Sequence, residues 1–252
     1  IYINEENDIY NSREYRGKIW RLINENEKNV LLIHPESANK NARLKFVKRF
    51  KNKIHLLEAI DDEDFYEYAK MFDEVDSRGS YKVIYKFIKK VFKREGVNEW
   101  FNERRVNRKR NKRDQLIILP IKNDLENLER QDKNFILIAK ILRQIKDLPD
   151  MVCYRRELFN DICKALEEAG YNKTSVYEAM KRIKNRRRRM GRKIDGKCIG
   201  TTLLVKGLEF DIVVILNTHK FEKPEDLYVA LTRASEKLVV FTKKRKLSPY
   251  PD

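Results

Sequence analysis

The chain has 252 residues and a mass of 30.3 kDa, and its 56 Lys and Arg against 39 Asp and Glu leave a formal net charge of +17. With 41% hydrophobic residues it has apolar material for a packed core in one or two domains, which excludes wholesale disorder. A mean hydropathy of −0.71, and no apolar run near the roughly 20 residues that a bilayer crossing needs, exclude a membrane span.

In chain order, residues 29–34 form a short apolar run ended by Pro35 and predict a buried strand. A basic helix is predicted near 40–51 and a second short strand over 54–57. Asp61, Asp62, Glu63 and Asp64 then open a helix, since acids suit the positive end of its dipole, and Phe65, Tyr68 and Phe72 follow at helical spacing. From Tyr81 to about Arg189 the pattern is helical almost throughout. Val83, Phe87 and Val91 share one stripe, helical stretches follow over 125–145, 158–169 and 176–190, and Pro120, Pro149 and Gly170 punctuate them. Strands return at 199–205, 212–216 and 238–242, with a helix over 224–232 that carries Pro in its first turn.

Alternating strands and helices at both ends imply an α/β fold with a parallel or mixed sheet covered on both faces. The economical architecture is one α/β domain built from residues 1–80 and 194–252, interrupted by a helical insertion over 81–193. Cys153, Cys163 and Cys198 are odd in number, far apart and free of any CxxC pair, which argues against a disulfide framework and a zinc site. A reducing, cytoplasmic compartment fits. The first residue is Ile1 and no signal-peptide pattern follows it, so the chain reads as a piece of something longer.

The charge is unevenly placed. Residues 1–80 sum to −2, residues 81–193 to +17 and residues 194–252 to +2. Two dense runs lie in the middle segment, Arg104 to Arg113 with seven basic residues in ten and Lys181 to Lys193 with nine in thirteen and no acid. A single run reads equally well as a solvated helix face. Two runs in one segment repel unless a polyanion neutralises them, which favours a phosphate backbone over a membrane surface or an acidic protein. Arg186, Arg187, Arg188 and Arg189 are the candidate contacts. The segment's aromatics, among them Tyr85, Phe87, Trp100, Phe101, Tyr154 and Tyr177, could stack on bases, but their spacing along amphipathic helices favours core.

A P-loop needs Gly-Lys followed by Ser or Thr, and the only Gly-Lys pairs are Gly17-Lys18-Ile19 and Gly196-Lys197-Cys198. Leu56-Leu57-Glu58 and the acids at 61–64 therefore read as a helix start rather than as magnesium-binding carboxylates. His34, His55 and His219 are isolated and read as structural or surface residues, and no Ser/His/Asp or Cys/His arrangement is present.

The C-terminal block carries the specific signal. Val205-Lys206-Gly207-Leu208-Glu209-Phe210-Asp211, the strand Ile212-Val213-Val214-Ile215-Leu216, then Asp226-Leu227-Tyr228-Val229-Ala230-Leu231-Thr232-Arg233-Ala234 resembles, in order and spacing, the fifth and sixth motifs of UvrD/Rep-type superfamily 1 helicases. The resemblance implies a RecA-like (P-loop NTPase-type) fold. In that family two such domains sandwich ATP with Mg²⁺, the first supplying the P-loop and carboxylates; this chain resembles the second. It implies Arg233 as the arginine finger, Glu209 as the carboxylate meeting the ribose, and Gly207 as the point of close backbone approach. It also sets Thr201, Thr202 and Lys206 towards single-stranded nucleic acid, and Tyr228 and Thr232 as residues packing the Arg233 helix. The implied partners are DNA, single-stranded and at junctions, and an N-terminal RecA-like domain of the same protein; the chain alone is expected to lack ATPase activity. The helical segment sits where the family places its accessory subdomain.

Bottom-up chemistry points the same way, because a planar, permanently charged guanidinium can neutralise charge developing on a transferred phosphoryl group. The plainer readings are that Arg233 caps or pairs locally, with Glu236 or Glu209, and that Glu209 makes a structural salt bridge. Two departures stand out. Where many members carry a His ahead of the Lys-Gly pair, this chain has Leu203-Leu204-Val205, and the family's upstream arginine has no assigned counterpart, Tyr15-Arg16 being the nearest setting. The rival from another class is a nucleic-acid-binding or regulatory module that kept the helicase fold without catalysis.

Overall fold

A computed structural model describes residues 13–24, 28–35, 40–50, 53–59, 62–76, 78–109, 111–130, 133–190, 194, 196–244 and 247. In chain order the elements are α1 (Arg13–Asn24), β1 (Val30–Ile33), α2 (Lys40–Arg49), β2 (His55–Leu56), α3 (Glu63–Glu74), α4 (Ser80–Val91), α5 (Arg94–Trp100), α6 (Lys112–Arg130), α7 (Phe135–Lys146) and α8 (Arg156–Asn172). There follow α9 (Val176–Met190), β3 (Lys197–Gly200), α10 (Thr202–Val205), β4 (Phe210–Ile215), a 3₁₀ turn at Thr218–Lys220, α11 (Pro224–Leu231) and β5 (Ala234–Val240). They form two compact units, one from Ile1–Glu58 with Lys193–Asp252 and the other from Ala59–Arg192.

The first unit is a five-stranded, all-parallel sheet in the order β2-β3-β1-β4-β5. Central β1 pairs with β3 on one side, Val30 opposite Lys197, and with β4 on the other, Val30 opposite Ile212. All four β1 residues are buried, because parallel strands covered on both faces have no polar side to alternate with. Leu31, Ile33, Val213 and Ile215 pack on one face with Val205 of α10 and with Leu227 and Ala230 of α11. By strand alternation Val30, Leu32, Ile212 and Val214 point to the other face. Helix α1, absent from the sequence reading, buries Tyr15, Ile19 and Ile23, and Tyr15 meets Phe241 edge-on at 6.0 Å between ring centroids.

The regular elements of the second unit, among its described residues, are all helices apart from isolated bridges. Its core joins Phe65 and Phe72 of α3, Phe87 and Ile88 of α4, Ile141 and Leu142 of α7, and Phe159 and Ile162 of α8. Tyr85, Phe87, Trp100, Phe101 and Tyr154 are buried, and Tyr177 packs edge-on against Tyr66 at 5.8 Å, so these aromatics are core. Asp62 caps α3 by accepting from Asp64 N at 3.2 Å; Asp61 and the predicted helix end at Lys51 lie outside the described residues.

Several boundaries differ from those predicted, among them the last strand, which runs over Ala234–Val240 rather than 238–242. The division between units falls after Glu58 rather than at residue 80, since Phe65, Tyr68 and Phe72 give α3 an apolar face that buries in the helical core. Pro120 lies inside α6 on its exposed side, where the helix tolerates one missing backbone donor without turning the proline into the core. Gly170 lies inside α8, and a Cβ there would stand 2.5 Å from Ile136 Cγ1, so the glycine serves the close approach of α7. The stretch over 125–145 is two helices, because Asn134 caps α7 by accepting from Leu137 N at 3.0 Å.

Candidate functional site

The strand predicted over 199–205 stops at Gly200. Beyond it the chain turns back as α10 and buries Val205, close enough that a Cβ on Gly200 would stand 3.3 Å from Val205 Cγ1 and 3.0 Å from Leu57 Cδ1. Thr201 is buried at the N-cap of α10, its carbonyl accepting from Leu204 N and Val205 N. Thr202 is also buried and donates to Asp226 Oδ1 at 2.9 Å, fastening α10 to the first turn of α11. Asp226 was not singled out from sequence; its place among the acids of a helix first turn masks a second role.

Lys206 and Gly207 form the return to β4 and are exposed. Gly207 has φ +80°, a conformation that disfavours side chains, and nothing lies within 4 Å of where its Cβ would be. Glu209 is exposed and has no partner among the described residues, so the salt-bridge alternative finds no support there.

Arg233, half-buried between α11 and β5, folds back on its own neighbourhood. Its Nε donates to Val229 O at 3.0 Å, Nη1 to Leu208 O at 3.2 Å and Nη2 to Thr232 Oγ1 at 2.9 Å. Its own carbonyl accepts from Phe210 N at 3.0 Å. Neither Glu236 nor Glu209 is its partner, Glu236 being paired with Lys28. Thr232 Oγ1, which accepts from the arginine, donates to Tyr228 O at 3.0 Å, and Arg233 itself lies beyond the end of α11. Tyr228 does not pack there: its side chain is 68% exposed, and only its backbone takes part.

Strand register sorts these residues into two groups. Gly200 aligns with Ile33 and through it with Ile215, whereas Phe210 aligns with Ala234. Thr201 therefore leaves the carboxyl edge of the sheet, while Glu209 and Arg233 precede their strands at the amino edge, about 16 Å away along the strand direction.

A parallel five-stranded sheet with crossover helices on its faces is the arrangement of a RecA-like domain. Residues 198–241 match the family model of the UvrD-like helicase C-terminal domain. The relation to the C-terminal portion of a UvrD/Rep-type superfamily 1 helicase thus rests on the whole stretch from β3 through β5. No curated protein matches the chain. No helix among the described residues is long and apolar enough to cross a membrane.

In the helical unit, Arg186 to Arg189 occupy the last turns of α9, where cations suit the negative end of the helix dipole. They are not equivalent. Arg187 donates from Nη2 to the buried Asp161 Oδ1 at 2.6 Å, and Lys184, fully buried, holds Asp161 Oδ2 at 3.0 Å. Arg186, Arg188 and Arg189 are exposed, with Arg186 Nη2 3.9 Å from Glu168 and Arg188 Nη1 2.9 Å from Asn185 Oδ1. In the other basic run Lys109 is buried, its ammonium 3.9 Å from the Trp100 ring centroid and paired with Glu99, while Arg110 lies outside the described residues. Arg104, Arg105, Arg108, Lys112 and Arg113 are exposed.

The three cysteines are buried and form no disulfide among the described residues, and burial pushes the Cys163 thiol up to about 12, which keeps it protonated and inert as a nucleophile. His219 is held below its ordinary value by burial, then by Lys243, Lys220 and Lys244, and its Nδ1 accepts from Lys243 N at 3.2 Å.

Proposed function

We propose that the chain is the second RecA-like portion of an ATP-dependent DNA helicase or translocase, that the helical unit is its accessory insertion, and that an N-terminal RecA-like domain of the same protein carries the P-loop. The observation that supports this best is the hydrogen bond from Arg233 Nη1 to Leu208 O. It joins two motifs 25 residues apart and sets the arginine beside the open Gly207 turn and the unpartnered Glu209.

These residues fit one wall of a site for ATP with Mg²⁺. ATP supplies the phosphoanhydride whose hydrolysis drives the cycle. Glu209 has a free carboxylate to accept from ribose hydroxyls, and the bare Gly207 backbone lets a ligand come close. Arg233 would trade three local bonds to neutral oxygens for an ion-paired one to a phosphate oxygen if the two domains closed. Lys206 is the exposed cation of the fifth motif and would meet the strand, while Thr201 and Thr202 shape the turn that presents it. In the helical unit Arg186, Arg188 and Arg189 are the exposed members of the run and would be the ones to meet a phosphate backbone.

The test is DNA-stimulated ATP turnover by the assembled two-domain protein carrying Arg233→Ala. A fall of about 10³-fold or more is expected, and turnover within about threefold of the unmutated protein would sink the arginine-finger role. A non-catalytic nucleic-acid-binding module is the second reading, favoured by the same three local bonds that hold Arg233 folded back.

A further inference from the structure

A groove of about 590 Å³ runs between α8 and α9, bounded by Lys164, Tyr171 and Asn172 on one side and Arg186 and Arg187 on the other. Three carboxylates also line it, and each is neutralised by its own partner. Glu167 accepts twice from Arg143, at 2.8 and 3.0 Å; Glu168 accepts from Arg182 at 2.6 Å; Asp161 is shared by Lys184 and Arg187. Lys164 has no partner among the described residues, and Arg186 has only the 3.9 Å approach to Glu168 with its side chain 64% exposed. Arg187 Nη1 is buried without a hydrogen bond and lies 3.9 Å from Glu157 Oε2, so the uncompensated charge is that of Lys164 and Arg186. The groove thus presents uncompensated positive charge above a set of cancelled pairs.

Its second feature is aromatic. Tyr171 stands at the end of α8 with 74% of its surface exposed, whereas Tyr68, Tyr85 and Tyr154 in the same unit are buried. Lys164 and Tyr171 are seven residues apart on one helix face, about 10.5 Å along the axis, which is the scale of one nucleotide from phosphate to base edge. Arg186 falls between them, at the level of Glu168. A ring to stack on and cations to pair with, at that separation, are the two elements by which proteins hold unpaired bases.

We infer that this groove holds one unpaired nucleotide of a single strand, its base stacked on Tyr171 and its phosphate between Lys164 and Arg186. The inference rests on the nucleic-acid-binding reading above and makes it specific: this part of the helical unit takes an unpaired base, which a duplex presents only at an end or a flipped position.

The full chain is titrated with a short single-stranded oligothymidine carrying one 2-aminopurine and with a duplex of equal length. Tyr171→Ala weakens single-strand binding about fivefold or more and abolishes the quenching of 2-aminopurine, leaving duplex affinity within about twofold. Tyr171→Phe, which keeps the ring, restores both, and Lys164→Gln lowers the salt slope by about one. Single-strand affinity within about twofold of wild type for Tyr171→Ala, or equal losses for single strand and duplex, overturns the nucleotide site and leaves the broader reading standing. Wild-type chain that binds neither probe overturns both. Because Tyr171 is exposed, its loss costs no core.

Discussion

Lys184 Nζ lies 3.0 Å from Asp161 Oδ2 with both residues out of water. Burial pulls the lysine from 10.5 to about 8, against the opposing pull of Asp161. In the unfolded chain the same group keeps its proton up to its ordinary value, so between about pH 8 and 10.5 the unfolded state binds more protons and stability rises with pH. The cost of burying the ammonium is present in full below pH 8 and is relieved above it. The urea midpoint of the wild type, measured against Lys184→Met, should climb between pH 8 and 10. A constant difference would mean that Lys184 titrates alike in both states.

The four consecutive arginines should separate into two kinds. Arg187→Gln takes a charged donor from a buried carboxylate and is expected to cost about 1.5–3 kcal/mol of unfolding free energy. Arg188→Gln and Arg189→Gln should change stability by less than about 0.5 kcal/mol and instead flatten the salt dependence of DNA binding. Equal stability losses at 187 and 189 would contradict the assignment.

Asp73, at the end of α3, accepts from Val176 N at 2.7 Å and Tyr177 N at 2.9 Å, capping α9 from 103 residues away. Ser175 adds a local cap by accepting from Glu178 N at 3.1 Å. Asp73→Ala should lower stability by about 1–2 kcal/mol, with Asp73→Asn recovering part of it, as read by urea unfolding at unchanged slope. An alanine variant as stable as wild type would show that Ser175 and water suffice.

Two glycines of the helical unit are predicted to differ in their tolerance of a methyl group. A Cβ at Gly96 runs into the Asp150 carbonyl, which is backbone, whereas at Gly170 it meets the Ile136 side chain, 37% exposed and able to turn aside. Gly96→Ala should cost about 1–3 kcal/mol and Gly170→Ala less, since the gain in helix propensity offsets part of the crowding. Thermal unfolding of the pair checks the order.

The strands were legible because a parallel sheet covered on both faces demands unbroken apolar runs, as in Val30–Ile33 and the Ile212 to Leu216 stretch. The Lys206–Glu209 turn and the Arg233 position were legible as a spaced pattern. Helix α1 was missed because Tyr15, Ile19 and Ile23 are only three buried residues among six charged or polar neighbours. The Arg233 cap on Leu208 O and the Asp73 cap on α9 could not be seen either, because each joins a side chain to a backbone group whose position only the tertiary structure fixes. For Lys184 and Arg187, a uniform basic run conceals that one helix face turns inward toward Asp161.

Central β1 has its neighbours at the far end of the chain, Val30 beside Lys197 and Ile212. During synthesis, N-terminus first, an apolar strand emerges early and waits without partners while the helical unit, which is compact within Ala59–Arg192, can already close. The sheet is then a late, single event that needs the last quarter of the chain. Pulse-labelled hydrogen exchange during refolding should protect amides of α7 and α8 before those of β1, and simultaneous protection would contradict this order. The residues that align Arg233 with Glu209 are therefore also the ones that finish the fold, so a chain stopped short of β4 leaves β1 as an unpaired edge open to aggregation.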